Sequence, residues 1–428
     1  MLAVQAVLSL LLVRADTAFE DEATYLWAGH LEWAHLLHGA PLPQFPSYFS
    51  GAPVIYPPIG ALADSVGGLT AARILSLAFM LGATVALWAT ADRLFGRRAA
   101  FFAAALFAVS GPTLHLGAFA TYDAMSVFLV TLAAWLVVRP GEWRDATVWM
   151  IAAGVTLALA DATAYTYALF DLVVLLLALV TAFPKPGGRF AAMRPLTILA
   201  VGGVLVMAAL LLGGSRYYHG IGHTTIFRTG GSDSVFTVLA QSWSWTGIIV
   251  IAAICGAVYS WIRRPGRAQT WLLTLLAGAA LLVPAEQASL RTTASLNKHV
   301  DLGIWFAAIA AGYAVDKLIA AAPAGNMRAV TCGACVIALC FPVVLGASQS
   351  RTFSTSWPNS TAFTAILGPL VDRSTGRLLV EDPSLAEYYL PAGSQWMRWS
   401  STRNIVLPTG APTGGPSDKA GVVGAGNA

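Results

Sequence analysis

Along most of the chain one pattern recurs: apolar runs of about 16 to 22 residues, each long enough to cross a hydrocarbon layer about 30 Å thick. Nothing else in the sequence restricts the fold as much. A backbone inside lipid has to satisfy its own hydrogen bonds, and unbroken apolar runs of this length do so as helices. Composition agrees: 57% of residues are hydrophobic and 11% are charged, against roughly 25% charged in a soluble domain. The chain therefore reads as an all-α polytopic membrane protein. A net charge of +4 gives no reason to expect a nucleic-acid partner.

The runs fall at about 69–91, 99–116, 124–138, 146–163, 165–183, 195–213, 245–262, 269–285, 302–322 and 329–347. Leu2–Val13 is apolar too, but as a helix it covers only about 18 Å. It resembles the second half of a span that starts upstream of Met1. A cleaved signal peptide fits less well, because a basic n-region and a small-residue cleavage site are missing. The total is about eleven helices, forming a membrane domain over 1–347. Within it, residues 14–68 form a long polar-aromatic segment rich in proline, and that length suggests a functional loop. Residues 348–408 change in character: Arg377–Asp382 reads as a short strand and Pro383–Leu390 as a turn and helix, a small outward α/β appendage. Residues 409–428 are rich in Gly, Pro and Ala and are expected to be disordered. Cys255, Cys332, Cys335 and Cys340 lie inside apolar runs. They read as small buried hydrophobes, because the Cys332–Cys335 spacing lacks the βαβ context of a redox motif.

The connections divide into two sets. The short ones are basic: Arg93, Arg97 and Arg98; Arg139 and Arg144; Lys185, Arg189 and Arg194; Arg263, Arg264 and Arg267; Lys317 and Arg328. The longer ones carry acids, histidines and tryptophans. The positive-inside rule puts the basic set in the cytoplasm. With an odd number of spans, the N-terminus is then cytoplasmic, and the 14–68 loop and the C-terminus are extracytoplasmic. The high Ala, Gly and Arg content fits a GC-rich bacterium and its cell membrane.

Phe19-Glu20-Asp21-Glu22-Ala23-Thr24-Tyr25 stands out within this frame. Three adjacent carboxylates at the mouth of a membrane helix are costly unless water, a cation or a reacting proton accompanies them. One reading is a solvated acidic loop. The other is a reaction centre at the outer membrane surface, where further polar residues collect: His115 to Asp123, then Arg216 to Asp233 with Arg228, then Glu286, Arg291, Lys298, His299 and Asp301.

Four elements together resemble the GT-C membrane glycosyltransferases of the family 39 type, which includes protein O-mannosyltransferases and aminoarabinose transferases. They are Asp21-Glu22 after the first helix, Tyr56-Pro57-Pro58-Ile59-Gly60 followed by Ala72-Arg73-Ile74-Leu75, Phe95-Gly96-Arg97-Arg98 before an Ala/Phe-rich helix, and Thr121-Tyr122-Asp123 before Ala124. The resemblance covers about residues 15–140 well and the remainder by topology. It implies a GT-C-type bundle that transfers a monosaccharide from a polyprenyl-phosphate donor to an extracytoplasmic acceptor with inversion. The acceptor hydroxyl must lose a proton as it attacks, which requires a carboxylate. By resemblance that base is Asp21, with Glu22 orienting the acceptor or a helper residue, or opening its helix, and Asp123 holding acceptor or cation or capping its helix. The leaving phosphate requires cations: Lys298, Arg291, His299, Arg228 and Arg73 are the candidates, set against interfacial snorkelling or packing on the acidic loop. Tyr25, Tyr56 and Trp243 are candidate substrate contacts. Tyr56 departs from the family, which commonly has Lys before the two prolines.

The resemblance leaves a divalent metal ion open, since some members use one and others do not. His219 and His223 share metal-ligand spacing, but Gly220 and Gly222 argue for loop histidines. His115 reads as a helix-end residue, and Asp171 must face a cavity or a partner rather than lipid. Two other readings remain: a transporter or flippase of a lipid-linked sugar, and a non-catalytic glycolipid-binding membrane protein.

Overall fold

The computed structural model describes residues 1–45, 49, 54–139, 143–182, 191–225, 230–390 and 396–402. Among these, seven helices are long and apolar enough to cross a membrane: Tyr56–Phe95, Ala146–Thr163, Met193–Ser215, Val235–Arg263, Arg267–Ser289, Leu296–Ala321 and Asn326–Phe353. Tyr122–Val138 and Tyr165–Val180 are shorter and apolar. Each apolar run expected from the sequence is helical over most of its described residues, but α1 (Leu2–Leu10) and the helix Arg97–Ala108 fall short of a full span. Arg228, the Pro-rich stretch near residue 50 and the whole 409–428 tail lie outside the described residues.

The acidic loop becomes helix α2 (Glu20–His38), opened by its three acids and stopped by Gly39 at φ 68°. Helix α3 (Tyr56–Phe95) follows, with Pro57 and Pro58 in its first turn, where proline's missing N–H costs nothing. It is broken at Gly67–Gly68, where Gly68 takes φ 63°, a conformation that glycine adopts freely. The segment before the break belongs to the loop, and the segment after it is the span expected near 69–91.

At the centre stands α4 (Leu296–Ala321), buried almost without interruption from Val300 to Tyr313. An apolar face all round is the mark of a helix enclosed by others, and its small residues let backbones meet. A Cβ on Gly312 would lie 2.2 Å from Ala99 O, and one on Gly256 would lie 2.5 Å from Ala310 O. Trp305 Nε1 donates to Ala83 O at 2.9 Å. One end of α4 carries Lys298; the other carries Asp316, which accepts from Arg98 Nε at 2.7 Å. Those two residues are about 27 Å apart along the axis at 1.5 Å per residue, close to one hydrocarbon thickness.

Beyond Phe353 come α5 (Thr361–Arg373), β1 (Leu378–Val380), α6 (Ser384–Tyr389) and β2 (Trp399–Ser401). The two strands pair in parallel, Leu378 opposite Trp399, over a small core of Val371, Ala386, Leu390 and Trp399. The appendage is tied to the acidic loop. Tyr389 Oη accepts from Ala18 N at 2.7 Å, Trp357 Nε1 donates to Thr17 O at 3.0 Å, and Tyr388 Oη donates to Asp64 Oδ1 at 2.6 Å.

Two expectations need correction. The helix Met193–Thr224 carries His219 and His223, so Gly220 and Gly222 do not break it; its irregular residue is Gly214 at φ 70°. The cysteines are not buried in the protein: Cys255 and Cys340 are exposed, Cys332 and Cys335 partly so, and all four are free. The helix of Cys332 and Cys335, Asn326–Ala338, has no buried residue, so the apolar surroundings implied by the sequence are those of its outer surface.

Candidate active site

Asp21 and Glu22 are neighbours in sequence, yet they face opposite partners, since successive residues on a helix point about 100° apart. Glu22 turns inward and is fully buried. Its Oε1 accepts from Arg73 Nε at 2.8 Å and from Ala120 N at 2.7 Å; its Oε2 accepts from Arg73 Nη2 at 2.6 Å and from Phe19 N at 3.0 Å. Arg73 also donates to the carbonyls of Val13, Asp16 and Thr17. All five guanidinium N–H groups are thereby used, so Arg73 holds the acidic loop and has no donor left for a phosphate. Glu22 thus both opens its helix, at Phe19 N, and holds the Arg73 side chain.

Asp21 turns the other way. Its Oδ2 accepts from Lys298 Nζ at 2.6 Å, and 34% of its side chain is exposed. Lys298 Nζ is 3.8 Å from Asp123 Oδ2 and lies 5.4 Å from the centre of the Phe119 ring. Asp123, fully buried, also accepts from Thr121 Oγ1 at 2.7 Å and from Tyr167 Oη at 3.0 Å, with His299 Nε2 3.8 Å away. Asp123 is the second residue of its helix and Thr121 precedes the first, so the capping role does not describe it. Two carboxylates thus share one buried ammonium at the end of the bundle where the acidic loop sits. Tyr25 stands over this centre, edge-on to Tyr122 at 4.8 Å. Burial, then Tyr122 and Asp21, pushes its hydroxyl well above the usual tyrosine pKa, so it stays protonated.

Beside the cluster opens a cavity of about 320 Å³, whose wall includes Tyr165, Thr166, Tyr167, Glu286, Gln287 and His299. Gln287 Nε2 lies 3.3 Å from His299 Nδ1.

The other candidates are placed elsewhere. Arg291 is exposed at the turn before α4 with φ 50°, and it takes no part in the cluster's hydrogen bonds or ion pairs. Trp243 is 54% exposed on Val235–Arg263. Tyr56 is fully buried at the start of α3, against Gly60, so it does not stand in for the family's lysine at an open site. His115 is buried, bonded at Nδ1 to Ser354 Oγ at 3.0 Å. Burial, reinforced by the charges of Lys298 and Arg73, lowers its pKa to about 3, so the ring is neutral. Asp171 opens the helix Asp171–Val180, and its Oδ1 is buried without a hydrogen-bond partner among the described residues. Among the described residues no group of three or more His, Cys, Asp or Glu could hold a metal ion. Sequence reasoning missed Tyr167, Thr121 and Gln287 as members of the site. Gln287 had a faint signal, since it adjoins Glu286 on a segment already noted for its polar residues.

Residues 60–212 match the family model described as dolichyl-phosphate-mannose-protein mannosyltransferase. No curated protein sequence matches. Among solved structures, ArnT from Cupriavidus metallidurans bound to undecaprenyl phosphate superposes with a TM-score of 0.63 at 16% identity, covering 93% of this chain and 88% of that one. Its apo state gives 0.59 at 15%, covering 90% and 83%. The oligosaccharyltransferase AglB from Archaeoglobus fulgidus, in complex with an inhibitory peptide and a dolichol-phosphate, gives 0.54 at 13%, covering 87% of this chain and 58% of that one. The likeness to GT-C membrane glycosyltransferases read from the motifs is therefore found again in a family model over part of the chain and in the fold over nearly all of it.

Proposed function

We propose, from the GT-C fold and the charge cluster at one end of its bundle, that the chain is a membrane glycosyltransferase. In this reading it moves a monosaccharide from a polyprenyl-phosphate donor to an acceptor hydroxyl outside the cytoplasm. The observation that carries the reading is the Asp21–Lys298 pair at 2.6 Å, with Asp123 beside the same ammonium and His299 near the other carboxylate oxygen of Asp123. That arrangement supports a single displacement. Asp21 takes the acceptor's proton as its oxygen bonds to the anomeric carbon; the bond from that carbon to the phosphate oxygen breaks, and the polyprenyl phosphate leaves. Inversion at the anomeric carbon follows from one displacement. An arriving phosphate competes with Asp21 for Lys298, which frees the carboxylate to act as base and sets the cation beside the developing charge. ArnT binds undecaprenyl phosphate and AglB binds a dolichol-phosphate in the structures matched, which favours a lipid-phosphate donor here.

The basic turns at the Arg98 end of α4 support an orientation with that end in the cytoplasm and the cluster outside. In the same view the appendage beyond Phe353 is an extracytoplasmic cover over the loop. A transporter is disfavoured because the cluster is at the end of α4, away from the bilayer midplane where transporter sites usually are.

The test is Asp21→Asn in the native host, with envelope glycoconjugates compared by mass spectrometry against wild type and a deletion. Asn keeps the shape and removes the base. Loss of the same glycan as in the deletion supports the enzyme, and the missing mass names the sugar. A mutant that matches wild type, when the deletion does not, sinks the base assignment and favours the scaffold or flippase.

A further inference from the structure

The cavity beside the charge cluster is not needed to explain the Asp21–Lys298 chemistry, yet it is built for a ligand. At about 320 Å³ it is near the small end of ligand pockets, which run about 300 to 1,000 Å³, so one sugar ring suits it better than a bulky group. Its wall combines Tyr165, Tyr167 and Phe170 with the polar residues Thr166, Glu286, Gln287 and His299. Aromatic side chains beside hydrogen-bonding ones match a ring that has apolar C–H faces and a rim of hydroxyls.

Gln287 is 1% exposed. Its Nε2 is engaged with His299 Nδ1 at 3.3 Å, but its Oε1 has no hydrogen-bond partner among the described residues. A buried acceptor left unpaired is costly, and it becomes satisfied when a ligand hydroxyl donates to it. The cavity also adjoins the reacting groups. His299 lines it and faces Asp123, Tyr167 lines it and donates to Asp123, and Lys298 is the residue before His299.

We propose that this cavity seats the transferred monosaccharide of the donor, an uncharged hexose or pentose unit, and that Gln287 Oε1 accepts one of its hydroxyl protons and so selects the sugar. The phosphate then falls beside Lys298, and the wall carboxylate of Glu286 disfavours a uronic acid. This rests on the glycosyl-donor reading above.

Full-length protein in nanodiscs is titrated with undecaprenyl phosphate and with undecaprenyl phosphate carrying glucose, mannose, arabinose or glucuronate. Wild type should bind one neutral glycolipid more tightly than both the bare phosphate and the glucuronate form. Gln287→Leu should weaken that glycolipid about tenfold, as expected for one lost hydrogen bond to a buried group, and leave bare undecaprenyl phosphate within twofold. If wild type prefers a neutral glycolipid and Gln287→Leu does not change that preference, the sugar-pocket assignment is overturned and the donor reading stands. An equal loss for bare and sugar-bearing lipid in Gln287→Leu also overturns it. If wild type shows no preference for any sugar-bearing lipid, the donor reading fails and takes this inference with it.

Discussion

Replacing Arg73 with methionine keeps much of the side-chain volume and removes the charge from the clamp behind Asp21. The consequence follows from the geometry. Glu22 would stay at 0% exposure with only the amides of Ala120 and Phe19, at 2.7 and 3.0 Å, to solvate its carboxylate. The carbonyls of Val13, Asp16 and Thr17 would lose their common donor as well. Breaking one partner of a buried ion pair costs about 3–5 kcal/mol. At 1.4 kcal/mol per factor of ten, opening of this region should become roughly 140- to 3,700-fold more frequent. Hydrogen exchange read by mass spectrometry measures it directly, in peptides that cover the amides of Phe19 and Ala120, because protection reports local opening. Pairing Arg73→Met with Glu22→Gln removes both charges, and protection should then recover by more than tenfold over Arg73→Met alone. A change of less than tenfold in Arg73→Met would refute the reasoning, since the ion pair would then not be what holds the loop.

Lys298→Met leaves Asp21 and Asp123 without their shared cation; transfer by purified protein should fall about 10²–10³-fold, and a loss below threefold would remove Lys298 from the mechanism. A Cβ at Gly29 would meet Pro57 O at 1.9 Å and Ala61 Cβ at 2.7 Å, so Gly29→Ala should push α2 off α3. The expected cost is about 1–3 kcal/mol, visible as a lower Tm in detergent together with reduced transfer, because α2 carries Asp21. In the appendage, burial, then Asp382, raises the Glu387 pKa to about 8 from an ordinary 4.5. The folded state therefore binds a proton that the unfolded state does not between about pH 4.5 and 8, and stability falls as pH rises through that window, by at most about 1.4 kcal/mol per pH unit. Glu387→Gln should flatten that slope, measured as exchange protection of residues 384–390 against pH, and an unchanged slope would assign it to another group.

By itself the sequence determined that this chain crosses a membrane in many helices. Apolar runs such as 302–322 and 329–347 have no other way to satisfy their backbone in lipid. The same local logic found the strand at Leu378–Val380 and the helix ending in Tyr388-Tyr389, because turn residues and short apolar alternation act over a few positions. The Asp21 motif and its likeness to a glycosyltransferase family were legible as well, since the acids are contiguous and costly where they stand. Tertiary packing decided how those acids are used. Asp21 meets Lys298 across 277 residues and Glu22 meets Arg73 across 51, separations over which no local pattern constrains geometry. Adjacent acids on a helix diverge by about 100°, so only the neighbouring helices settle which one is clamped and which one is left open. Gln287 acquires meaning only beside His299 and Tyr167, and the cysteine helix shows its outer surface only once no other helix covers it. Periodicity gives each helix its existence; which of its faces meets which partner is a property of the assembled bundle.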